Sequence, residues 1–254
     1  MKTTDFSKVA EVYDKNPFRF EEVRVDSDLE DYIINSSESS CRMLDLACGT
    51  GIYLHHQVTS LGEYNIEWNG LDASKEMLDQ AKAKVEKAAF AQGRAENMPY
   101  EDGTFNFITN HYAFHHFTEK EKALDEIHRV LKIGGVYKLH NIDIYGMKNW
   151  WIYHYFPSAL LEDYKRFWTK EVIFRELSQR GFDVRIDCNY QMENIKIADY
   201  IGHVENRDIS VLTLLDDEEY NQGLYRMKQD LEESPDKEVT NDFSELICIA
   251  KKEL

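Results

Sequence analysis

Met43-Leu44-Asp45-Leu46-Ala47-Cys48-Gly49-Thr50-Gly51-Ile52-Tyr53-Leu54 decides the fold. An apolar run of strand type breaks off here at a turn of small residues and passes into a helical pattern. Gly49 and Gly51 lack Cβ atoms where the backbone must turn sharply and let a ligand come close. A strand, a glycine-rich turn and a helix N-terminus, in that order, form the usual nucleotide-binding entry of an α/β sheet.

Outward from this turn the signals alternate. Strand-like runs lie at 41–47, 66–71, 104–110 and 135–142, with a shorter one at 89–93; helical patterns fall at 51–60, 74–88 and 119–131. Ser74 and Thr118 stand where N-caps are expected, and Gly134-Gly135 reads as a helix-to-strand turn. Such alternation predicts an α/β fold, a parallel sheet with helices on both faces. Before it, residues 1–40 read as a helical arm with Pro17 interrupting any helix begun at 6–15. After it come an aromatic-rich segment at 144–168, a helix at 169–180, a strand at 182–190, a mostly helical acidic stretch at 191–241 and a last strand at 245–250. The expectation is one domain over 1–254, with 41–143 as its core and 144–168 and 191–241 as lid segments.

Composition narrows the partners. Of 254 residues, 47 are acidic and 30 basic, a net charge of −17, which disfavours attraction to nucleic acid or to anionic membranes. Cys41, Cys48, Cys188 and Cys248 show no metal-binding spacing, and so few cysteines in a chain of this size fit free thiols in a reducing cytoplasm. No apolar run approaches a membrane span. The expected partner is a small-molecule substrate, with no nucleic acid, membrane or metal; the oligomeric state is left open.

Two ligands compete for the turn. A dinucleotide site wants G-x-G-x-x-G, and Leu54 occupies the third glycine position. Asp45, inside the strand, repels phosphate but suits a ligand with an ammonium and a sulfonium, a description that fits S-adenosyl-L-methionine. Leu44–Gly51 resembles the first motif of class I S-adenosylmethionine-dependent methyltransferases, and three further blocks agree in order. Gly70–Leu78 resembles the end of the second strand. Gly93–Tyr100 resembles the block over the adenine. Asn110–Phe117, followed by Ala123–Gly135, resembles the fourth strand, its His-containing turn and the Arg-Val-Leu-Lys-x-Gly-Gly hallmark. The resemblance covers 41–143 and is nearest to the methyltransferase type 11, ubiquinone/menaquinone-biosynthesis group. Ala47 stands where many members have glycine, and Ile133 where proline is usual.

The resemblance implies a Rossmann-like, doubly wound seven-stranded sheet, mostly parallel with an antiparallel last strand, and methyl transfer to a small molecule. It places Tyr13, Asp45, Ala47, Gly49, Thr50, Gly51, Asp72, Ala73, Met77, Ala95, Glu96, Asn97, Asn110 and His111 at the cofactor. Asp72 accepts from the ribose diol as an ionised acceptor, or else caps the helix at 74–88. Glu96, or the backbone around 95–97, meets the adenine amino edge, or else lies in an exposed loop. The backbone carbonyl of Asn110, at the ligand-facing end of its strand, receives the methionine ammonium. Tyr13, in a Tyr-Asp pair, covers the cofactor with its aromatic face or packs the arm.

For an O or N acceptor a base must remove a proton. His115 and His116 stand just past the fourth strand and are the candidates, against a structural histidine that the family carries at this turn whatever the substrate; His111 and His140 are weaker ones. Tyr200, His203 and Arg207 fall on one helix face (i, i+3, i+7) and, with Trp151 among the aromatics, form the expected substrate contacts, the alternative being a solvated face and an ordinary core. The acceptor atom is unresolved. A member that binds the cofactor for another reaction, and a non-catalytic cofactor-binding subunit, stand as alternatives.

Overall fold

The computed structural model describes Phe6, residues 10–14 and residues 24–253, so the expected break at Pro17 lies outside the described residues. Seven strands form one sheet: β1 (Cys41–Leu46), β2 (Ile66–Asp72), β3 (Ala88–Gln92), β4 (Phe105–His111), β5 (Leu131–Ile142), β6 (Phe182–Lys196) and β7 (Glu238–Lys252). Their order is β3-β2-β1-β4-β5-β7-β6. The first five pair in parallel, with Asp45 opposite Gly70 on β2 and Thr109 on β4. β7 runs antiparallel: Asp143 N–H donates to the Ser244 carbonyl at 2.8 Å, while the Lys252 ammonium reaches the Leu131 carbonyl at the other end of β5.

The helices are α1 (Ala10–Tyr13), α2 (Ser27–Asn35), α3 (Ile52–Ser60), α4 (Lys75–Lys84), α5 (Lys120–Val130), α6 (Trp151–Tyr155), α7 (Pro157–Arg166), α8 (Lys170–Gln179), α9 (Ile201–Glu205) and α10 (Asp217–Glu233). α5 shows why they form: Ala123, Leu124, Ile127 and Val130 recur at helical spacing and are all buried. The Ser74 hydroxyl accepts from Met77 N–H at 3.2 Å and caps α4 as expected.

The chain divides into two compact units: one of Phe6–Asn141, Glu171–Ile186 and Ile247–Leu254, the other including Ile142–Lys170 and Asp187–Leu246. The first has a core around Met43, Leu54, Trp68, Leu78 and Phe107. The second is built on the aromatics of 144–168, with Trp151, Tyr153, Tyr155 and Phe156 packed against Ile197, Val204, Leu212, Tyr220 and Met227. Here α10 lies so close to Phe156 that a Cβ at Gly223 would fall 2.1 Å from its ring.

Three local expectations are corrected. Thr118 does not cap α5; its N–H and hydroxyl both donate to Glu96, and the helix starts after Glu119. Gly134-Gly135 makes a bulge inside β5 rather than a turn before it: the register slips between Phe105 and Phe107, and Gly134 takes φ +76°. The stretch 191–241 is helical only in its middle, because β6 runs on to Lys196 and β7 begins at Glu238. The alternation of Cys188, Tyr190 and Met192 with Asp187, Asn189, Gln191 and Glu193 is a strand period hidden by polarity.

One buried ion pair joins α2 to the sheet. The Lys138 ammonium lies 2.8 Å from Asp26 and 2.6 Å from Asp28. Burial pushes the Asp26 carboxyl up, but Lys138 and the Tyr53 hydroxyl outweigh it and hold it below the usual carboxylate range; burial likewise works against the charged Lys138, which its two acids hold above the usual lysine range. A lowered acid contributes stability that is lost as pH falls through its folded value, and a raised lysine contributes stability that is lost as pH rises through its own. The pair is therefore intact across neutral pH. Lys138→Met, which strands Asp26, is expected to cost about 3–5 kcal/mol in urea unfolding at neutral pH. Adding Asp26→Asn should recover part of that loss; a single-variant cost below about 1 kcal/mol would contradict the assignment.

Candidate functional site

The sheet order reverses between β1 and β4, and in open α/β sheets ligands bind outside the carboxyl ends of strands at such a point. The Asn110 side-chain amide donates to the Leu46 carbonyl at 2.6 Å and ties those two ends together. The turn after β1 winds through positive φ at Ala47 (60°), Gly49 (52°) and Gly51 (77°). A Cβ at Gly51 would lie 3.1 Å from the Ala81 Cβ, so α3 and α4 pack closely here; at Gly49 it would meet nothing within 4 Å. Gly49 thus faces open space, the property a ligand cradle needs.

Asp72 closes the turn from β2. One carboxylate oxygen accepts from Gly49 N–H at 2.9 Å and the other from Ser74 N–H at 2.9 Å. It therefore caps the two turns rather than α4, and an ionised carboxylate retains further lone pairs for a ligand. Asp45, 2% exposed, carries an oxygen with no hydrogen-bond partner, as does Asn110 Oδ1. Burial and then the charge of Asp72 push the Asp45 carboxyl well up, and burial raises Asp72 itself. The buried Asp45, with one unpartnered oxygen, and the half-buried Asp72 beside it favour a cation between them.

The remaining expected residues gather around this centre unevenly. Ala73 lends its carbonyl to Gln92, and Met77 and Ala95 are buried. Glu96 turns away: its carboxylate accepts from the start of α5, at Thr118 and Glu119. In the backbone at 95–97, Asn97 N–H bonds the Arg94 carbonyl. The Thr50 hydroxyl donates to Asp14 at 2.5 Å, and Lys84 pairs with the same carboxylate, fastening α1 to the turn. Tyr13, beside Asp14, sets its ring edge-on to Phe6 at 6.5 Å. His111 packs against Tyr53 with ring centroids 4.2 Å apart and the planes tilted by 31°, and burial, with His140 adding, lowers its pKa to about 3, so it is neutral at physiological pH. His115 is buried with Nδ1 3.1 Å from Asn141 Oδ1, and Phe6 packs edge-on to His116 at 4.8 Å.

In the other unit, Tyr200, His203 and Arg207 do not share a helix face. α9 ends at Glu205, and Arg207 follows it at φ +48°, the left-handed turn that stops a helix. Its guanidinium lies 3.6 Å from the Tyr220 ring centroid and pairs with Asp217 at 2.8 Å. Tyr200 does meet Trp151, with ring centroids 5.1 Å apart, and His203 Nδ1 sits 2.9 Å from Asp208. Among the described residues no three His, Cys, Asp or Glu side chains are placed to hold a metal ion, and no helix is long and apolar enough to cross a membrane.

A turn of this kind on a Rossmann-like sheet defines a nucleotide-type site, and comparison with known proteins specifies the class. Residues 44–139 match the family model of a methyltransferase domain. The chain is 37% identical over 143 residues to the uncharacterized methyltransferase YcgJ of Bacillus subtilis, covering 54% of this chain and 53% of that one. It is 30% identical over 170 residues to the ubiquinone/menaquinone biosynthesis C-methyltransferase UbiE of Campylobacter jejuni, covering 56% of this chain and 71% of the relative. The fold is shared with a putative methyltransferase from an antibiotic biosynthesis pathway of Anabaena variabilis, at TM-score 0.66 and 21% identity, over 87% of this chain and 96% of that one. The chain belongs to the methyltransferase family. It spans about half the length of YcgJ.

The two open acids give a prediction. A carboxyl raised by burial costs the fold nothing below the ordinary carboxylate pKa, and its cost grows as pH rises from there toward the folded value. Asp45→Asn should therefore raise the melting temperature of the ligand-free protein at about pH 7 by at least about 2 °C, the effect of roughly 1 kcal/mol in a chain of this size, and leave it unchanged near pH 3. An equal shift at both pH values would contradict the electrostatic reading.

Proposed function

We propose that the protein transfers a methyl group from S-adenosyl-L-methionine to a small-molecule acceptor. The observation that carries this reading is the pair of buried, unpartnered oxygens on Asp45 and Asn110 beside a turn that is open at Gly49. Such a donor-poor, acidic pocket fits a cationic ligand and opposes a pyrophosphate. Bound there, S-adenosylmethionine supplies an electrophilic methyl carbon. Asp72 holds the ribose diol on the lone pairs left by Gly49 and Ser74, and the backbone of 95–97 takes the adenine edge. Asp45 and Asn110, through its backbone carbonyl or its unpartnered Oδ1, would face the methionine ammonium.

The contacts of Asp14 with Thr50 and Lys84 hold the arm at the turn, which supports the reading of Tyr13 as a cover that helps to exclude water. His115 and His116 remain the candidate bases; Asn141 orients the His115 ring, as a base requires. Trp151, Tyr200 and His203 remain the candidate acceptor contacts. Arg207 is already committed to Asp217 and Tyr220, so it drops below those three as a substrate contact.

Calorimetry should show S-adenosylhomocysteine binding, weakened at least about tenfold by Asp72→Ala, which is roughly the 1.4 kcal/mol of one good charged hydrogen bond. Labelled cofactor incubated with a metabolite extract should yield a product heavier by one methylene. Unchanged affinity removes Asp72 from the site, and a bound cofactor with no methylated product across broad extracts favours the non-transferring alternatives.

A further inference from the structure

β6 ends the sheet: it has β7 on one side and, among the described residues, no strand on the other. It is also long, 15 residues from Phe182 to Lys196, where strands usually run to about 3–10. No proline or glycine interrupts it. An edge this regular offers a row of backbone N–H and C=O groups to another strand, and native proteins shorten, kink or cover such edges. Residues 187–194 are all exposed, with Tyr190 at 48% and Met192 at 56%. The Tyr190 hydroxyl donates to Asp242 at 3.2 Å and the Asn189 amide to Glu245 at 3.4 Å. Those side chains reach back over β7 rather than across the outer edge.

The strand is complementary to a second copy of itself. Antiparallel pairing about a two-fold axis at Asn189, the midpoint of Phe182–Lys196, sets residues equally far from it against each other. On one face Cys188 then meets Tyr190 and Ile186 meets Met192, so the apolar row is closed by its own copy. On the other face Asp187 meets Gln191, and Arg185 meets Glu193 on both sides of the axis. Arg185 touches Asp28 only at 3.9 Å and keeps 68% of its side chain exposed, so its guanidinium can take an incoming acid as well. Moving the axis to Cys188 or to Tyr190 sets Asp183 or Asp187, respectively, against Glu193, and like charges directly opposite are unfavourable.

We propose that β6 is the interface of a homodimer, in which two copies pair antiparallel about Asn189 and join their sheets into one. The contact is isologous, each copy giving the same strand. Backbone hydrogen bonds supply attraction, and the Arg185–Glu193 pairs with the apolar row fix the register. The proposal does not depend on the methyltransferase reading.

Sedimentation of the full chain across the micromolar range should show a reversible dimer. Glu193→Arg sets arginine against Arg185 on both sides of the axis and should raise the dimer dissociation constant at least about tenfold. Adding Arg185→Glu restores opposite charges and should recover the dimer; circular dichroism of each variant checks that it is folded. In a Cys188→Ser background, Asn189→Cys should oxidise to a linked dimer, because paired Cα atoms at the axis lie about 4.5–5.5 Å apart. Gln191→Cys, about 13 Å from its own copy in this register, should not. A monomer at every concentration, a dimer unmoved by Glu193→Arg, a double variant that stays dissociated, or linkage through Gln191→Cys in preference to Asn189→Cys would overturn the proposal.

Discussion

The carboxylate of Asp72 holds two turns at once. Through Gly49 N–H it fixes the loop after β1, and through Ser74 N–H the loop after β2. The remaining geometry follows from that clamp. With Gly49 and Gly51 at positive φ, the loop curls away from the strand ends and leaves the space in front of Gly49 open. Asn110, bonded to the Leu46 carbonyl, sets the opposite wall. A short acid at the end of one strand thus shapes a site whose remaining walls come from two others.

The same clamp brings the Asp72 carboxylate close enough to Asp45 for each acid to feel the site's burial and for Asp45 to feel the charge of Asp72. Asp45 and Asp72 are both raised by burial, and Asp45 is raised further by its neighbour. Earlier in the chain an equivalent acid is handled differently: Asp26 is buried too, but Lys138 and Tyr53 meet it and it stays ionised. One acid is completed from within the fold and serves stability. The other is left incomplete, a cost that natural proteins accept at binding sites.

Much of this was legible in the sequence because the informative periods are local. The alternation of strands and helices from Cys41 to Ile142, the glycine turn and Ser74 as a cap all depend on neighbours a few residues apart. The Tyr13-Asp14 pair pointed to an arm over the turn, but not to Lys84 as the partner of Asp14, since a lysine at the end of a helix reads as ordinary surface. The Asp26–Lys138 pair joins positions 112 residues apart, and no local pattern announces it. Helical spacing misled at Arg207 because periodicity does not show where a helix stops, and here the chain turned left-handed first. Strand β6 was read short because its alternation sets Cys188, Tyr190 and Met192 among polar residues at an exposed edge.

A crystal structure of the complex with S-adenosylhomocysteine tests the central claim most directly. The account predicts both ribose hydroxyls within hydrogen-bond distance of Asp72, with the ammonium directed at Asp45 and the Asn110 carbonyl. A ligand seated elsewhere, or one in the cleft with its ribose turned away from Asp72 and its ammonium in solvent, would contradict it.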